Sequence, residues 1–342
     1  MKVDSSVTGW RPGPSAVSPP EARGLSRDGV RLMVSHNGGH AHATFRDLPE
    51  ILTPGTLLVV NSSATLPASL PASARFGPFT LNLSTRYGDR LWLAEPRRSP
   101  AVEGPVPVAI GETFEAAGVP AHLLRSFPGV PRLFFVAFEG NVERAMADEG
   151  EPIRYDHVSP PFPPLSAYQT VFAGVPGSAE MPSAGRPFTP ALIEALRRRS
   201  IGITAIELHA GVSSLEGDEA GLAPEAFSVP PGTADLVNAA RRAGRQVIAV
   251  GTTVVRALES AWDGTRLRPA EGFTRLVVRP GRGVATVDGL ITGFHEPSAS
   301  HLSMLEAVGG SRLVDEAYRE ASRRGYLWHE FGDSHLILAG RR

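Results

Sequence analysis

The sequence predicts an α/β protein whose mostly parallel sheet is interrupted by an inserted small β-barrel domain. Three observations predict it. The stretch 246–262, QVIAVGTTVVRALESAW, runs from a short apolar segment into a pattern with Val254, Val255, Leu258 and Trp262 at helical intervals, which is a buried strand turning directly into a helix. The same alternation of apolar runs and amphipathic stretches fills 25–65 and 155–342. Between these halves, 66–154 consists of short apolar runs separated by Gly or Pro, with FTLNLST and LWLAEP placed about the turn RYGDR.

In chain order, residues 1–24 are rich in Pro, Ser and Gly and poor in aliphatic side chains, which predicts a mobile tail. VRLMVSH then reads as a strand, FRDLPEIL as a short helix, and TLLVVN (56–61) as a buried strand ending on Asn61. PVPVAI, AHLLRSF and RLFFVAF are further strands of the insertion. TPALIEALRRRSIG carries an N-cap threonine, proline at the first helical position, a basic last turn and a closing glycine, all marks of a helix. ITAIELHAG, TADLVNAARRAG and QVIAVGTT make a strand, helix and strand crossover, so that two neighbouring parallel strands end at His209 and Thr252. RLVVRPG and VDGLITGFH read as strands, EPSASHLSML and SRLVDEAYREASRRG as helices, and SHLILA as a closing strand.

Composition narrows the function. The chain of 342 residues has material for one large domain and a smaller one. Its 34 basic and 35 acidic residues leave a net charge of −1, which argues against a broad electrostatic footprint for nucleic acid or anionic membrane. The absence of cysteine excludes thiolate catalysis, disulfides and cysteine-ligated metals. No apolar run reaches the roughly 20 residues of a membrane span, and no signal-peptide core is present, so a cytoplasmic protein with no membrane partner is expected. Neither HExxH nor a calcium loop occurs, and GxGxxG and GxxxxGK[ST] are missing, so no metal and no nicotinamide or P-loop chemistry is expected. The pattern leaves the oligomeric state open.

In α/β sheets ligands bind at the carboxyl ends of strands, and four predicted ends carry polar residues: Asn61, His209, Thr252 with Arg256, and His295. Arg256 lies in the first turn of its helix, against the dipole, so its charge needs a partner. That partner is either an anion held together with Gly251, Thr252 and Thr253, or Glu259 on the same helix. Thr252 or Thr253 can serve as N-cap. His209 and His295 are either proton-transfer residues or satisfied structural histidines, and Gly211 beside His209 permits close approach to the backbone. The stretch 168–189 carries Tyr168, Gln169, Thr170 and the small run Ser183, Ala184 and Gly185, suited to a flat ligand or to a plain surface loop. Asp333 and Glu207 are candidate acids or bases, or structural caps. The basic clusters at 197–199, 241–245 and 323–324 fall in last helical turns, where the dipole accounts for them.

The order YQTVF, PSAGRPFTPALIEAL, ELHAG, VIAVGTTVVRALES, DGLITGFHEPSASHLSML, a Tyr-containing helix and FGD, with FRDLPEILTPGTLLVVN upstream, resembles the S-adenosylmethionine:tRNA ribosyltransferase-isomerase family of queuosine biosynthesis. The resemblance covers nearly the whole chain from residue 21. It implies an α/β domain interrupted by a β-barrel and a metal-free reaction with S-adenosylmethionine as a substrate. The ribosyl part would pass to the aminomethyl group of a 7-deazaguanine base in tRNA and rearrange to an epoxycyclopentane, with loss of adenine and methionine. The sulfonium acidifies the adjacent ribose carbon, and adenine needs a proton as it leaves, so His209 and His295 would suit these two jobs. Arg256 with Thr252 and Thr253 would hold the methionine carboxylate, and Ser183, Ala184 and Gly185 would lie against the adenosyl group. Asn61, Tyr168, Gln169, Thr170, Gly211, Gly251, Glu259 and Asp333 complete the expected substrate-binding set.

The chain departs from the family pattern in five places. TRVIPARL is replaced by SATLPASL, without either arginine; PTAGLHF by PSAGRPF; a GTF segment by VSSLEGDEA; a His-x-x-His-Ser-Glu stretch by LAPEAFS; and NFHLPxST by GFHEPSAS. Several of these losses remove groups suited to a base or tRNA, whereas the GTTxxR block persists. Three functions are therefore expected, in this order: the tRNA transferase-isomerase, the same chemistry applied to a small-molecule acceptor, and a non-catalytic adenosyl-ligand-binding protein.

Overall fold

The computed structural model describes residues 10–36, 39–98, 106–212, 223–295 and 300–339. The chain opens with the hairpin β1 (Arg31–His36) and β2 (Gly39–Thr44), then α1 (Leu48–Ile51), β3 (Leu57–Asn61) and the short β4 (Ser63–Thr65). Six strands follow: β5 (Ser69–Ala74), β6 (Gly77–Arg86), β7 (Leu91–Arg97), β8 (Thr113–Ala116), β9 (Val119–Phe127) and β10 (Val130–Phe138). They close into a barrel in the order β10-β7-β6-β5-β8-β9, confirming the predicted insertion. The chain leaves the barrel through α2 (Val142–Glu149) and β11 (Val175–Ser178), the latter pairing in parallel with β4.

The remaining elements rebuild the large sheet: α3 (Pro190–Arg198), β12 (Gly202–Leu208), β13 (Glu225–Val229), α4 (Pro231–Arg242), β14 (Val247–Val250), α5 (Thr252–Ser260), β15 (Ala270–Thr274), β16 (Gly289–Gly293), α6 (Ser300–Gly309), α7 (Ser311–Arg323) and β17 (Ser334–Leu338). The nine strands run in the order β15-β13-β12-β3-β14-β16-β17-β1-β2. Alternation along the central strands separates two cores. Leu57, Val59, Val247 and Ala249 pack with α4, α5 and α7 on one face, while Leu58, Val60, Ile248 and Val250 pack with α1 and α3 on the other. Strands covered on both faces must be apolar throughout, which is why LLVV and VIAV read as unbroken runs. Each such aliphatic side chain contributes about 1.5–3 kcal/mol on burial. The barrel has its own core, including Leu70, Leu81, Leu93, Leu123 and Val136, with Val142 and Met146 of α2 packed onto it.

Several expectations are corrected. The sheet is mixed rather than mostly parallel: β12, β3, β14 and β16 run parallel to one another and β17 to β1, whereas β13, β15, β2 and the β16–β17 pair are antiparallel. Hydrophobic period reports burial and not strand direction. β12 and β14 are not neighbours, because β3 lies between them. The strand expected at RLVVRPG is instead the preceding segment, β15. Helix α5 is capped by Gly251 at φ 101, with no threonine side-chain cap. The helix expected from EPSASHLSML begins at Ser300, and residues 296–299 lie outside the described residues.

From Trp10 onward the expected mobile tail is instead packed. The Trp10 ring lies 4.8 Å from Tyr318 and 5.6 Å from Trp328, the Ala16 amide donates to Trp328 O at 3.0 Å, and Glu21 pairs with Arg186 at 2.9 Å. A single large aromatic anchors a stretch whose average composition reads as disordered. Among the described residues no helix is long and apolar enough to cross a membrane.

Candidate active site

Because β12, β3, β14 and β16 are adjacent and parallel, their carboxyl ends fall on one edge of the sheet, and the four predicted polar ends lie side by side. Asn61 ties three of them together. Its Nδ2 donates to Leu208 O at 2.8 Å and to Thr253 Oγ1 at 3.2 Å, while its Oδ1 accepts from Leu208 N and Ser63 N, both at 3.1 Å. A buried amide with both ends occupied sets spacing between strands and has little capacity left for a ligand. Gly251 is next in the row. A Cβ there would stand 3.5 Å from Ala184 Cβ, so the strained turn into α5 packs beneath the Ser183–Gly185 turn. Ser183 and Ala184 in turn line a small cleft with Gly293, His329, Glu330 and Asp333.

His209 follows β12 directly. Its Nδ1 is 2.7 Å from Ser63 Oγ, which is 2.6 Å from Ser178 Oγ, and Ser178 Oγ accepts from Ala210 N at 3.0 Å. The ring lies against Gly177, where a Cβ would come within 2.5 Å of Nδ1. Either hydroxyl of the Ser63–Ser178 pair can be the donor, so rotating two O–H bonds lets the pair serve either tautomer of the imidazole. With Nδ1 committed to this relay, proton exchange with a ligand falls to Nε2. Burial pushes the His209 pKa down, partly opposed by Glu207, so the ring is neutral and able to accept a proton at neutral pH.

His295 sits in a different setting. Its ring centroid is 3.8 Å from that of His301, whose Nε2 is 2.9 Å from Thr292 Oγ1. Burial, and then the neighbouring His329, push its pKa down to about 4. A ring held neutral to that degree accepts hydrogen bonds but carries almost no proton to give at pH 7.

The chain aligns over residues 14–337 with the family described as queuosine biosynthesis protein. It is 36% identical over 325 residues to the S-adenosylmethionine:tRNA ribosyltransferase-isomerase of Thermus thermophilus, covering 91% of this chain and 93% of that one. It is 35% identical to the enzyme of the same name from Moorella thermoacetica, over 99% of this chain and 100% of that one. The crystal structure of S-adenosylmethionine tRNA ribosyltransferase from Thermotoga maritima superposes with a TM-score of 0.54 at 29% identity, covering 96% of this chain and 99% of that one. The chain belongs to the queuosine biosynthesis protein family.

Within this member of the family, several residues expected to meet substrate are engaged by the protein itself. Arg256 is buried and ion-paired with Glu225 of β13, and its Nε donates to Leu276 O at 3.2 Å. Neither the free anion nor Glu259 is its partner. Glu225 also accepts from Gly211 N at 2.9 Å, and a Cβ on Gly211 would lie 2.5 Å from Ser84 Oγ, so that glycine admits the barrel rather than a ligand. Glu259 accepts from Ala285 N, Thr286 N and Thr286 Oγ1 at 2.8 Å each and pairs with Arg282 at 2.6 Å, fixing the loop before β16. Asp333 accepts from Arg31 N and Arg31 Nε at 2.9 Å, from Arg31 Nη2 at 2.6 Å and from Leu327 N at 2.8 Å.

The 168–170 stretch is structural in the same sense. Gln169 meets both backbone groups of Thr65, at 3.0 and 2.7 Å, in the manner of an extra strand residue. Tyr168 packs on Phe331 with ring centroids 5.1 Å apart, and Thr170 Oγ1 accepts from Phe172 N at 3.2 Å. Thr252 and Thr253 remain half-buried at the row's centre. Ser63, Ser178 and Gly177 were not singled out by the sequence pattern. Their one signal is the unusual density of small hydroxyl and glycine residues on β4 and β11.

Proposed function

We propose that this chain is a transferase-isomerase that moves the ribosyl part of S-adenosylmethionine to an aminomethyl-deazaguanine base of tRNA, releasing adenine and methionine. One observation carries the reading: His209, neutral and wired to two hydroxyls, stands at one end of four parallel strand ends in a chain of this family. His209 Nε2 removes the proton from the ribose carbon beside the sulfonium. The positive ring is then supported by Ser63 Oγ accepting from Nδ1, and the same Nε2 returns the proton as adenine departs. His295 serves as a neutral hydrogen-bonding group, since its depressed pKa unfits it as the acid. Thr252, Thr253, Ser183 and Ala184 form the floor for the adenosyl and methionyl parts. The reaction belongs to the cytoplasm, where tRNA is found.

A second reading keeps the chemistry and changes the acceptor. It is favoured by Ala64 and Ser69, which occupy the two positions where the family pattern has arginine, at β4 and the start of β5, next to Ser63. Loss of two cations there weakens a case for a polyanionic acceptor. Incubating the protein with S-adenosylmethionine, with and without bulk tRNA, and following adenine and methionine decides. Release that requires tRNA supports the first reading, release without tRNA or only with a small amine supports the second, and binding without turnover removes both.

A further inference from the structure

His157 and the pair His329 and Glu330 are far apart in sequence, yet their ligand-type atoms all lie within 4.8 Å of one another. The rings of His157 and His329 stack at 4.3 Å between centroids with 20° between planes, and His157 Nε2 is 3.0 Å from Glu330 Oε2. The other carboxylate oxygen, Glu330 Oε1, is buried and has no hydrogen-bond partner among the described residues. A carboxylate oxygen removed from water without a donor is costly, and a cation is the usual remedy where no N–H is at hand. His329 is also held at φ 70, unusual for a residue with a side chain, by its amide donating to Phe294 O at 3.0 Å and its carbonyl accepting from Gly332 N at 2.9 Å.

We propose that His157, His329 and Glu330 form a binding site for a divalent transition-metal ion of the zinc type. Two imidazoles and a carboxylate match the borderline character of that ion, and three protein ligands leave a coordination position open. His329 and Glu330 line the same cleft as Ser183 and Ala184, so the site borders that cleft. The ion would also join the segment that follows the barrel to the loop that precedes β17. This inference stands apart from the ribosyl-transfer reading and requires no step of it. Sequence spacing gave no metal signature because the ligands come from segments separated by 173 positions.

The test uses tag-free, chelator-treated full-length protein, titrated with Zn²⁺ by calorimetry and with Co²⁺ by visible absorption. The expected result is saturable binding of a single ion with d–d bands of low-symmetry coordination. His157→Ala and Glu330→Gln should each weaken it by roughly 100-fold or more, above the range for changes outside the first ligand shell. His122→Ala, which alters an exposed barrel histidine paired with Glu139, should leave it unchanged. Absence of a saturable Co²⁺ band in the parent protein overturns the site, as does binding that survives Glu330→Gln or is lost in His122→Ala.

Discussion

At the scale of single residues, the proposed chemistry depends on one imidazole and on what holds it. If Nε2 of His209 is the base, His209→Ala should lower kcat by about 10²–10⁴-fold with little effect on S-adenosylmethionine affinity. The active form is the neutral ring, whose pKa burial sets below the ordinary 6.5. Activity should therefore be flat above neutrality and fall on the acid side with an inflection below 6.5; an inflection at or above that value would remove His209 from the role. Gly177→Ala is the sharper probe, because it leaves the base in place. The new methyl would stand 2.5–2.6 Å from three ring atoms, and the ring must swing off Ser63. We expect roughly 10-fold or greater loss of kcat with the thermal midpoint nearly unchanged, and equal loss of both would mark the glycine as structural only. His209 was legible in the sequence because it ends an apolar run. Ser63 and Ser178 were not, because a hydrogen bond between residues 115 positions apart leaves no local period.

At the scale of elements, α5 shows what pattern reasoning recovers and what it misses. The switch from VIAV to helical spacing locates strand and helix correctly, but with Gly251 as the cap Arg256 is the fifth helical residue, past the first turn, and its need for a partner comes from burial rather than from the dipole. The partner comes from β13, which lies between β15 and β12; its alternation in burial sets Glu225 on the inward face with Phe227 and Val229, but which helix residue meets it there is decided by contacts between distant segments. Arg256 is thus a pin between α5 and β13. Removing it strands a buried carboxylate, so Arg256→Ala should cost about 3–5 kcal/mol in denaturant unfolding. The double variant Glu225→Gln, Arg256→Met removes both charges and should recover much of that loss. If Arg256→Ala instead unfolds like the parent and loses only S-adenosylmethionine affinity, the guanidinium is a ligand-binding group and the pin assignment fails.

At the scale of the whole molecule, the insertion point of the barrel brings a second domain to the sheet edge that carries the candidate site. The barrel departs from β3 through β4 and returns through β11, and it is tied back to the sheet by Val212 N donating to Ser84 Oγ at 2.9 Å and Thr85 Oγ1 donating to Pro224 O at 2.7 Å. Composition and turn spacing made the barrel legible, but not this docking, which rests on contacts between distant segments. Dense packing around that edge also buries histidines as neutral rings: His295 is pushed down to about 4, His335 to about 3, and His301 well below its ordinary value. In the unfolded chain all three titrate near 6.5. As pH falls through that value the unfolded state takes up protons that the fold refuses, so stability should be greatest above pH 6.5 and decline below it. Carboxylates stay ionised in both states down to about pH 5, which leaves the decline between 6.5 and 5 to histidines. These three alone approach a slope of about 4 kcal/mol per pH unit, to which His40, His42 and His209, also lowered by burial, add, and His335→Gln should remove about 1.4 kcal/mol per pH unit of it. Urea unfolding free energies measured across that interval test the claim directly: a flat profile would mean that these rings are protonated in the native protein, and the neutral-ring chemistry assigned to His295 would go with them.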